Sequence, residues 1–322
     1  MKQTRRQFVR TLFAASQAAP FWIGIGAPVF TREMLAADAK ADVLNFLLLG
    51  DWGRHGEPDQ AAVAKQMGLY GENLGAKFVV AVGDNFYENG VASVTDEQWQ
   101  TSFEKVYTAP SLQVPWWAVL GNHDYHGNCD AQIEYAKPGG RWNMPARYYL
   151  RSERIDAKTS VDFFYLDTTP MAGLDASEMK HHSNVKSQNV LKQMAWFEAA
   201  LAASTTPWKI VVGHHPIYTG GEHGDTPYLV KRVLPLLEKY GVQAFFNGHD
   251  HDLQHLQAGK VNLFCTGGGS KPRTGLKTTA RTKFGLGCSG FIAASLSADS
   301  LGVRMIDDKG KLLYSTCVPR NS

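Results

Sequence analysis

Asp51-Trp52-Gly53, Gly83-Asp84-Asn85-Phe86-Tyr87, Gly121-Asn122-His123-Asp124, Gly213-His214-His215 and Gly248-His249-Asp250-His251 are five short stretches that gather carboxylate, imidazole, phenol and amide side chains. Eight of the 11 histidines (123, 126, 214, 215, 223, 249, 251 and 255) fall within three loop windows. Mixed carboxylate and imidazole donors suit a first-row transition metal, whereas all-oxygen sets suit magnesium or calcium. No cysteine lies among them, which argues against a structural zinc site. Each stretch has a plainer reading when taken alone. An Asp-x-Gly after a strand is usually a turn, Gly-Asn-His-Asp can be an Asx turn before a helix, and a His-x-His pair on one side of an extended segment can be core packing. Five together, each following a run of β-formers, point to one metal site.

The elements that must position these residues are legible as short apolar runs closed by glycine. Residues 44–49, 78–82, 116–120, 210–212 and 244–246 read as buried strands. Helical patterns lie between them at 58–74, 95–107, 187–203 and 226–240, the second opening on Thr95-Asp96-Glu97-Gln98 and the last stopped by Gly241. This alternation predicts an α/β fold with a central sheet. The tail, 288–318, alternates like hairpins, with Asp307-Asp308-Lys309-Gly310 as a turn. Ligands in such folds bind beyond the carboxyl ends of the strands, so the five polar loops are expected to converge on one rim. No Pro/Ser-rich linker divides 40–322, which reads as one domain.

At 322 residues, 44% of them apolar, the chain is too hydrophobic to be disordered. It carries 33 Lys and Arg against 30 Asp and Glu, but five of the bases and two of the acids lie in the first 39 residues, leaving 28 against 28. A neutral body does not suggest a nucleic-acid surface. The four cysteines (129, 265, 288 and 317) show no CxxC spacing and allow three pairings if all are bridged. The N-terminus opens on Thr4-Arg5-Arg6-Gln7-Phe8-Val9-Arg10, then a weakly apolar run to Phe30 interrupted by Pro20, Gly24, Gly26 and Pro28. That run falls well short of the ~20 apolar residues of a spanning helix. Residues 1–39 resemble a bacterial twin-arginine export signal, with cleavage expected near Ala37 or Ala39. The alternative is a basic amphipathic helix or an N-terminal membrane anchor. The signal reading implies the twin-arginine export machinery as a partner, no stable membrane anchor in the mature form, and a periplasmic or secreted protein.

The order Asp-x-Gly, Gly-Asp-x-x-Tyr, Gly-Asn-His-Asp, Val-x-x-His, Gly-His-x-His resembles the calcineurin-like metallophosphoesterases, and the tyrosine ending the second motif resembles the purple acid phosphatases. Val114-Pro115-Trp116, Ala131-Gln132-Ile133, Arg141-Trp142-Asn143 and the text from Phe246 to His251 are similar to the small, tartrate-resistant type. The likeness covers roughly residues 44–270. It implies a β-sandwich flanked by helices in four layers, α/β/β/α, with 40–322 as the catalytic domain. It also implies two metals, the first on Asp51, Asp84, Tyr87 and His251 and the second on Asp84, Asn122, His214 and His249, with Asp84 bridging. Many relatives carry a histidine where Gly53 stands; Tyr87 then supplies the missing ligand. A phenolate is a hard, anionic donor, so the first metal is expected to be Fe(III) and the protein violet; the second is a divalent Fe, Zn or Mn. The implied activity is hydrolysis of phosphate monoesters at acid pH by direct attack of a metal-bound hydroxide. In it His223 is the general acid, and His123 holds the phosphate and shares the acid role. His215 is read as packing beside Pro216, and His126 and His255 as supporting residues. No role is assigned to His181-His182.

Three rivals remain at this level: a phosphodiesterase for cyclic nucleotides or phospholipid headgroups, a non-catalytic binding protein on the same scaffold, and an iron-dependent peroxidative role. Specificity is expected from loops at 167–189 and 267–288. The second is rich in Gly, Lys and Arg and reads as a solvated basic loop, with steering of anionic substrates by Lys271, Arg273 or Lys277 as the alternative.

Overall fold

The strand–loop–helix alternation is realised in a computed structural model that describes residues 42–136, 139–173 and 183–320. The signal read over residues 1–39, including Arg5-Arg6 and the cleavage site, and the His181-His182 pair lie outside the described residues.

From the described N-terminal end, β1 (Leu44–Leu49), α1 (Gln60–Leu74), β2 (Phe78–Ala81), β3 (Trp116–Ala118), α2 (Cys129–Glu134) and β4 (Trp142–Asn143) come first. Next are β5 (Tyr149–Arg154), β6 (Ser160–Tyr165), α3 (Val190–Ala203), β7 (Trp208–Val212), α4 (Leu234–Lys239) and β8 (Ala244–Asn247). Then follow β9 (Leu253–Ala258), β10 (Val261–Thr266), β11 (Thr282–Leu286), β12 (Gly290–Leu296), β13 (Ser300–Asp307) and β14 (Leu312–Pro319). The strands divide into two seven-stranded mixed sheets, ordered β14-β13-β12-β1-β2-β3-β4 and β11-β9-β10-β8-β7-β6-β5. The single central sheet expected from the alternation is therefore corrected to two. The apolar runs identify strands but not which strands pair. β1, β2 and β3 run parallel in the first sheet, and β6, β7 and β8 in the second. The tail is an antiparallel meander returning to β1 through β12.

Phe163 and Phe164 of β6, a strand absent from the sequence reading, show how these strands are covered on both faces. Side chains alternate between faces along a strand. Phe163 meets Phe46 and Phe78 edge-on across the interface between the sheets, at 5.5 and 5.7 Å. Phe164 points the other way and meets Phe197 of α3 at 6.0 Å. Both faces are covered, so neither can be polar. On the other side α1 buries Val63, Ala64 and Met67 and stops at Gly75, whose φ of +66° makes a left-handed cap. The result is four layers, α/β/β/α, as the resemblance implied.

Two predicted helices are shorter and irregular. Residues 95–107 yield only a π-type turn over Trp99–Glu104, pinned by the stacking of Trp99 on Tyr135 at 3.6 Å and of Phe103 edge-on to Trp116 at 5.1 Å. The 226–240 helix divides into a π-type Leu229–Val233 and α4, because Pro235 has no N–H to continue the ladder. α3 starts at Val190, where the Asn189 side chain accepts from the Lys192 N–H at 2.9 Å. All four cysteines carry free thiols, Cys129 and Cys265 buried, so none of the three pairings is formed.

Candidate metal centre

Asp51 follows β1, Asp84 and Tyr87 follow β2, Asn122 and His123 follow β3, His214 follows β7, and His249 and His251 follow β8. All lie past carboxyl ends of parallel strands, on one rim. The rim is stitched together by backbone hydrogen bonds: Asp51 N–H to Gly83 O at 3.1 Å and Gly248 N–H to His214 O at 3.0 Å. The Asp124 carboxylate adds a side-chain tie, accepting from the N–H groups of Gly121 at 2.8 Å and Asn85 at 3.1 Å. Burial, then the nearby Asp84 charge, push the Asp124 carboxyl up to about 6. Gly53 explains its own departure from the Asp-x-His pattern. A Cβ there would run into the Asn85 carbonyl, and the Gly53 carbonyl accepts from Tyr87 N–H at 2.8 Å.

The donors fall into two sets. In the first, the Tyr87 hydroxyl lies 2.9 Å from Asp51 Oδ1, 2.8 Å from Asp84 Oδ2 and 3.0 Å from His251 Nε2. In the second, Asn122 Oδ1 lies 3.2 Å from His214 Nε2 and 3.0 Å from His249 Nδ1, and His214 Nε2 is 3.5 Å from Asp84 Oδ1. Asp51, Asp84 and His214 offer atoms that all lie within 4.8 Å of one another. The tautomers are set from behind, by His214 Nδ1 on Val82 O at 3.0 Å and His251 Nδ1 on Lys271 O at 2.8 Å. Each ring thus turns Nε2 toward the cluster.

That arrangement fits cations better than it fits protons. In the first set the Tyr87 hydroxyl and His251 Nε2 both face the Asp51 and Asp84 carboxylates. Burial would lower His251, but Asp51 and then Asp84 raise it above the ordinary histidine range, so the two carboxylates draw positive charge to this place. In the second, His214 commits Nδ1 to the Val82 carbonyl, and its Nε2, His249 Nδ1 and the Asn122 carbonyl oxygen converge within 3.3 Å of one another. Cations at these two places would satisfy every lone pair. Burial, together with Asp51 and Asp84, holds the Tyr87 phenol well above its ordinary value, so a bound cation would have to release that proton. Burial would raise Asp84 too, but the His214 and His123 imidazoles and the His123 N–H bring it down to about 2. Burial and the surrounding imidazoles, His215 and His214 foremost, hold His249 well below the ordinary histidine range and so in its neutral, ligating form.

His123 and His223 stand at the open side of the cluster. The His123 N–H donates to Asp84 Oδ1 at 2.8 Å and its Nδ1 meets Glu88 O at 2.6 Å. The His223 ring lies 4.1 Å from that of His249, with Nδ1 2.9 Å from Asp250 Oδ1. Asp250 is buried and also accepts from the Thr219 hydroxyl at 2.5 Å. His215 is buried beside His214 and His249 and within 3.0 Å of Thr168 Oγ1. His126 lies at the rim, 5.1 Å from His123. His255 is outside the cluster, stacked on Phe264 at 4.3 Å and bonded to Tyr314 and Asn262. Three contributors escaped the sequence reading. Asp250 holds His223, and Arg54 lies 3.6 Å over the Tyr87 ring. Thr168 Oγ1 accepts from the N–H groups of His214 and His215 at 3.1 and 2.9 Å. None carries a local sequence signal, because each meets its partner across at least 27 residues.

Two packed sheets with two donor sets sharing a carboxylate at the strand ends define the scaffold of a binuclear metallohydrolase. Comparison with known proteins is consistent with that class. Residues 44–253 match the calcineurin-like phosphoesterase family. The chain is 43% identical over 235 residues to purple acid phosphatase 7 of Arabidopsis thaliana, covering 71% of this chain and 70% of the relative. It is 35% identical over 311 residues to human tartrate-resistant acid phosphatase type 5, covering 89% and 94%. Among solved structures, GAP50, the anchor in the inner membrane complex of Plasmodium, superposes with a TM-score of 0.78 at 25% identity, covering 88% of this chain and 90% of that one. Purple acid phosphatase PPD1 of yellow lupin seeds shares the fold with a TM-score of 0.63 at 18% identity, covering 88% and 55%. The chain belongs to the calcineurin-like phosphoesterase family, among the purple acid phosphatases.

Proposed function

We propose that this chain is an exported acid phosphatase that hydrolyses phosphate monoesters at a binuclear metal centre. The observation that carries the reading is the position of Asp84 between the two donor sets, one oxygen beside Tyr87 and the other facing His214. Asp51, Asp84, Tyr87 and His251 would hold Fe(III), for which a phenolate is a well-matched hard donor. Asp84, Asn122, His214 and His249 would hold a divalent Fe, Zn or Mn ion. When bound, the two ions supply positive charge for the phosphate and make a water acidic enough to attack it at mildly acid pH.

The other roles fall to side chains of the chain itself. His123 commits Nδ1 to the Glu88 carbonyl, so Nε2 is the nitrogen left to hold a phosphate oxygen. His223 commits Nδ1 to Asp250, which leaves Nε2 to give a proton to the departing alkoxide. Asp250, itself held by Thr219, keeps that ring from turning. Residues 1–39 serve in this proposal as a twin-arginine signal, delivering 40–322 as one catalytic domain to the periplasm or the medium.

Hydrolysis of p-nitrophenyl phosphate beside bis(p-nitrophenyl) phosphate, from acid to neutral pH, tests the reading. Faster turnover of the monoester is expected, abolished by Asp84→Ala. His223→Ala is expected to lower kcat on an alkyl phosphate by about 10²-fold or more, and by less on the p-nitrophenyl ester, whose leaving group needs no proton. Faster turnover of the bis-ester would favour a phosphodiesterase. Absence of turnover with two metals bound would favour a binding protein.

A further inference from the structure

Residues 267–287 carry Lys271, Arg273, Lys277, Arg281 and Lys283 and no acidic residue. The reading from sequence favoured a solvated basic loop, but the backbone of this segment is fixed to both halves of the catalytic rim. The Lys271 carbonyl accepts from His251 Nδ1 at 2.8 Å, and the Arg273 N–H donates to the His251 carbonyl at 2.8 Å. Further on, the Lys277 N–H donates to the Gly220 carbonyl at 2.7 Å, in the loop that carries His223. Gly275 lies so close to Glu222 that a Cβ would collide with its side chain.

The cations of this segment differ in what they already hold. Arg273 pairs with Glu222 at 3.3 Å, and Arg281 lies over the Tyr218 ring at 4.0 Å. Lys283 belongs to β11, on the side of His255. Lys271 and Lys277 are exposed and have no acidic partner among the described residues. Acids of the adjoining loops are engaged elsewhere: Asp59 with the Ser289 hydroxyl at 2.8 Å, Glu222 with Arg273, and Asp225 with the Thr219 N–H at 2.9 Å. The backbones of two exposed lysines thus border the metal cleft, one bonded to His251 and one to the loop that carries His223, each with a flexible four-carbon stem.

We propose that Lys271 and Lys277 form an anion-binding wall that takes a second phosphate group of the substrate, so that the enzyme prefers phosphate monoesters carrying a further phosphate. The proposal rests on the phosphomonoesterase reading above. The reacting phosphate lies at the metal cluster, and the second one replaces the water and counter-ions that now surround the two lysines. Exposed pairs are individually weak and screened by salt, so the preference is a matter of KM and ionic strength, not of kcat.

The test compares kcat/KM for fructose 1,6-bisphosphate and for p-nitrophenyl phosphate in the metal-loaded enzyme and in K271Q/K277Q. The ratio of the two values is expected to fall about tenfold in the variant, through KM of the bisphosphate. In the native enzyme 0.5 M salt should reproduce that fall, and the charge-retaining K271R/K277R should keep the native ratio, which separates charge from loop shape. A ratio unmoved by K271Q/K277Q, with both substrates turned over, would overturn the wall and leave the phosphatase reading standing. Native enzyme that turned over neither substrate would overturn both.

Discussion

At the scale of single residues, the site is an answer to crowded lone pairs. Tyr87 is the member whose behaviour differs most with and without a metal: its phenol is held protonated by burial and two carboxylates, yet it stands where only a phenolate can ligate. Tyr87→Phe in iron-loaded protein is therefore expected to abolish the violet absorption while leaving the fold intact. A visible spectrum unchanged by that substitution would remove Tyr87 from the ligand set. Of the seven proposed donors, Asp51, Asp84, Asn122, His214 and His249 each follow a glycine just past a β-forming run, so their place on the rim was legible locally. Tyr87, His251 and the division into two ligand sets came from the family resemblance. What fixes the donors was not legible locally. Asp250 and Thr168 act through hydrogen bonds to distant loops, and Arg54 acts across a ring face.

At the scale of elements, β6 ends on Tyr165, and two residues further Asp167 sits buried between the loops. It accepts from the Tyr125 hydroxyl. Burial pushes this carboxyl up to about 7, against an ordinary value near 4 in the unfolded chain. The folded form thus holds more protons than the unfolded form between those two values. Stability contributed by this group is present at low pH and lost as pH rises through about 7. Asp167→Asn should therefore melt higher than the native protein at pH 8, by about 5 °C, with the gap closing near pH 4. A variant that melts lower at pH 8, or keeps the gap at pH 4, would contradict the assignment. The sequence pattern placed β1, β2, β3, β7 and β8 because they are buried on both faces and read as unbroken apolar runs. It missed β5, whose exposed and half-exposed positions alternate in an Arg- and Glu-rich segment, β6, whose apolar run is interrupted by Asp162, and the hairpin β9–β10, where His255, Gln254 and Asn262 are buried polar residues. The division into two sheets depends on which edges meet, and no local period reports that.

At the scale of the whole molecule, the proposed export and the proposed metal loading would belong together, since twin-arginine signals generally serve proteins carried across already folded. No helix among the described residues is long and apolar enough to cross a membrane. Arg5→Lys with Arg6→Lys is expected to strand active, metal-loaded enzyme in the cytoplasm, measured by fractionation; unchanged delivery would refute the signal. The backbone carries a further consequence for what kind of protein this is. Asp51, Asp84 and His249 have φ of +59°, +49° and +71°, a left-handed conformation that costs a residue with a side chain about 1–2 kcal/mol. Glycine would adopt it freely, and among the described residues ten glycines have positive φ, while the other non-glycine residue to do so is His55 at +54°. A scaffold serving only as a docking platform could drift to glycine at these three places and become more stable by doing so. Two aspartates and a histidine there carry a backbone cost. It is offset by hydrogen bonds, Asp51 accepting from the His249 N–H at 3.0 Å and Asp84 from the His123 N–H at 2.8 Å, and bound metal would offset it further. Stability screens run on metal-free protein would therefore undervalue the proposed ligands.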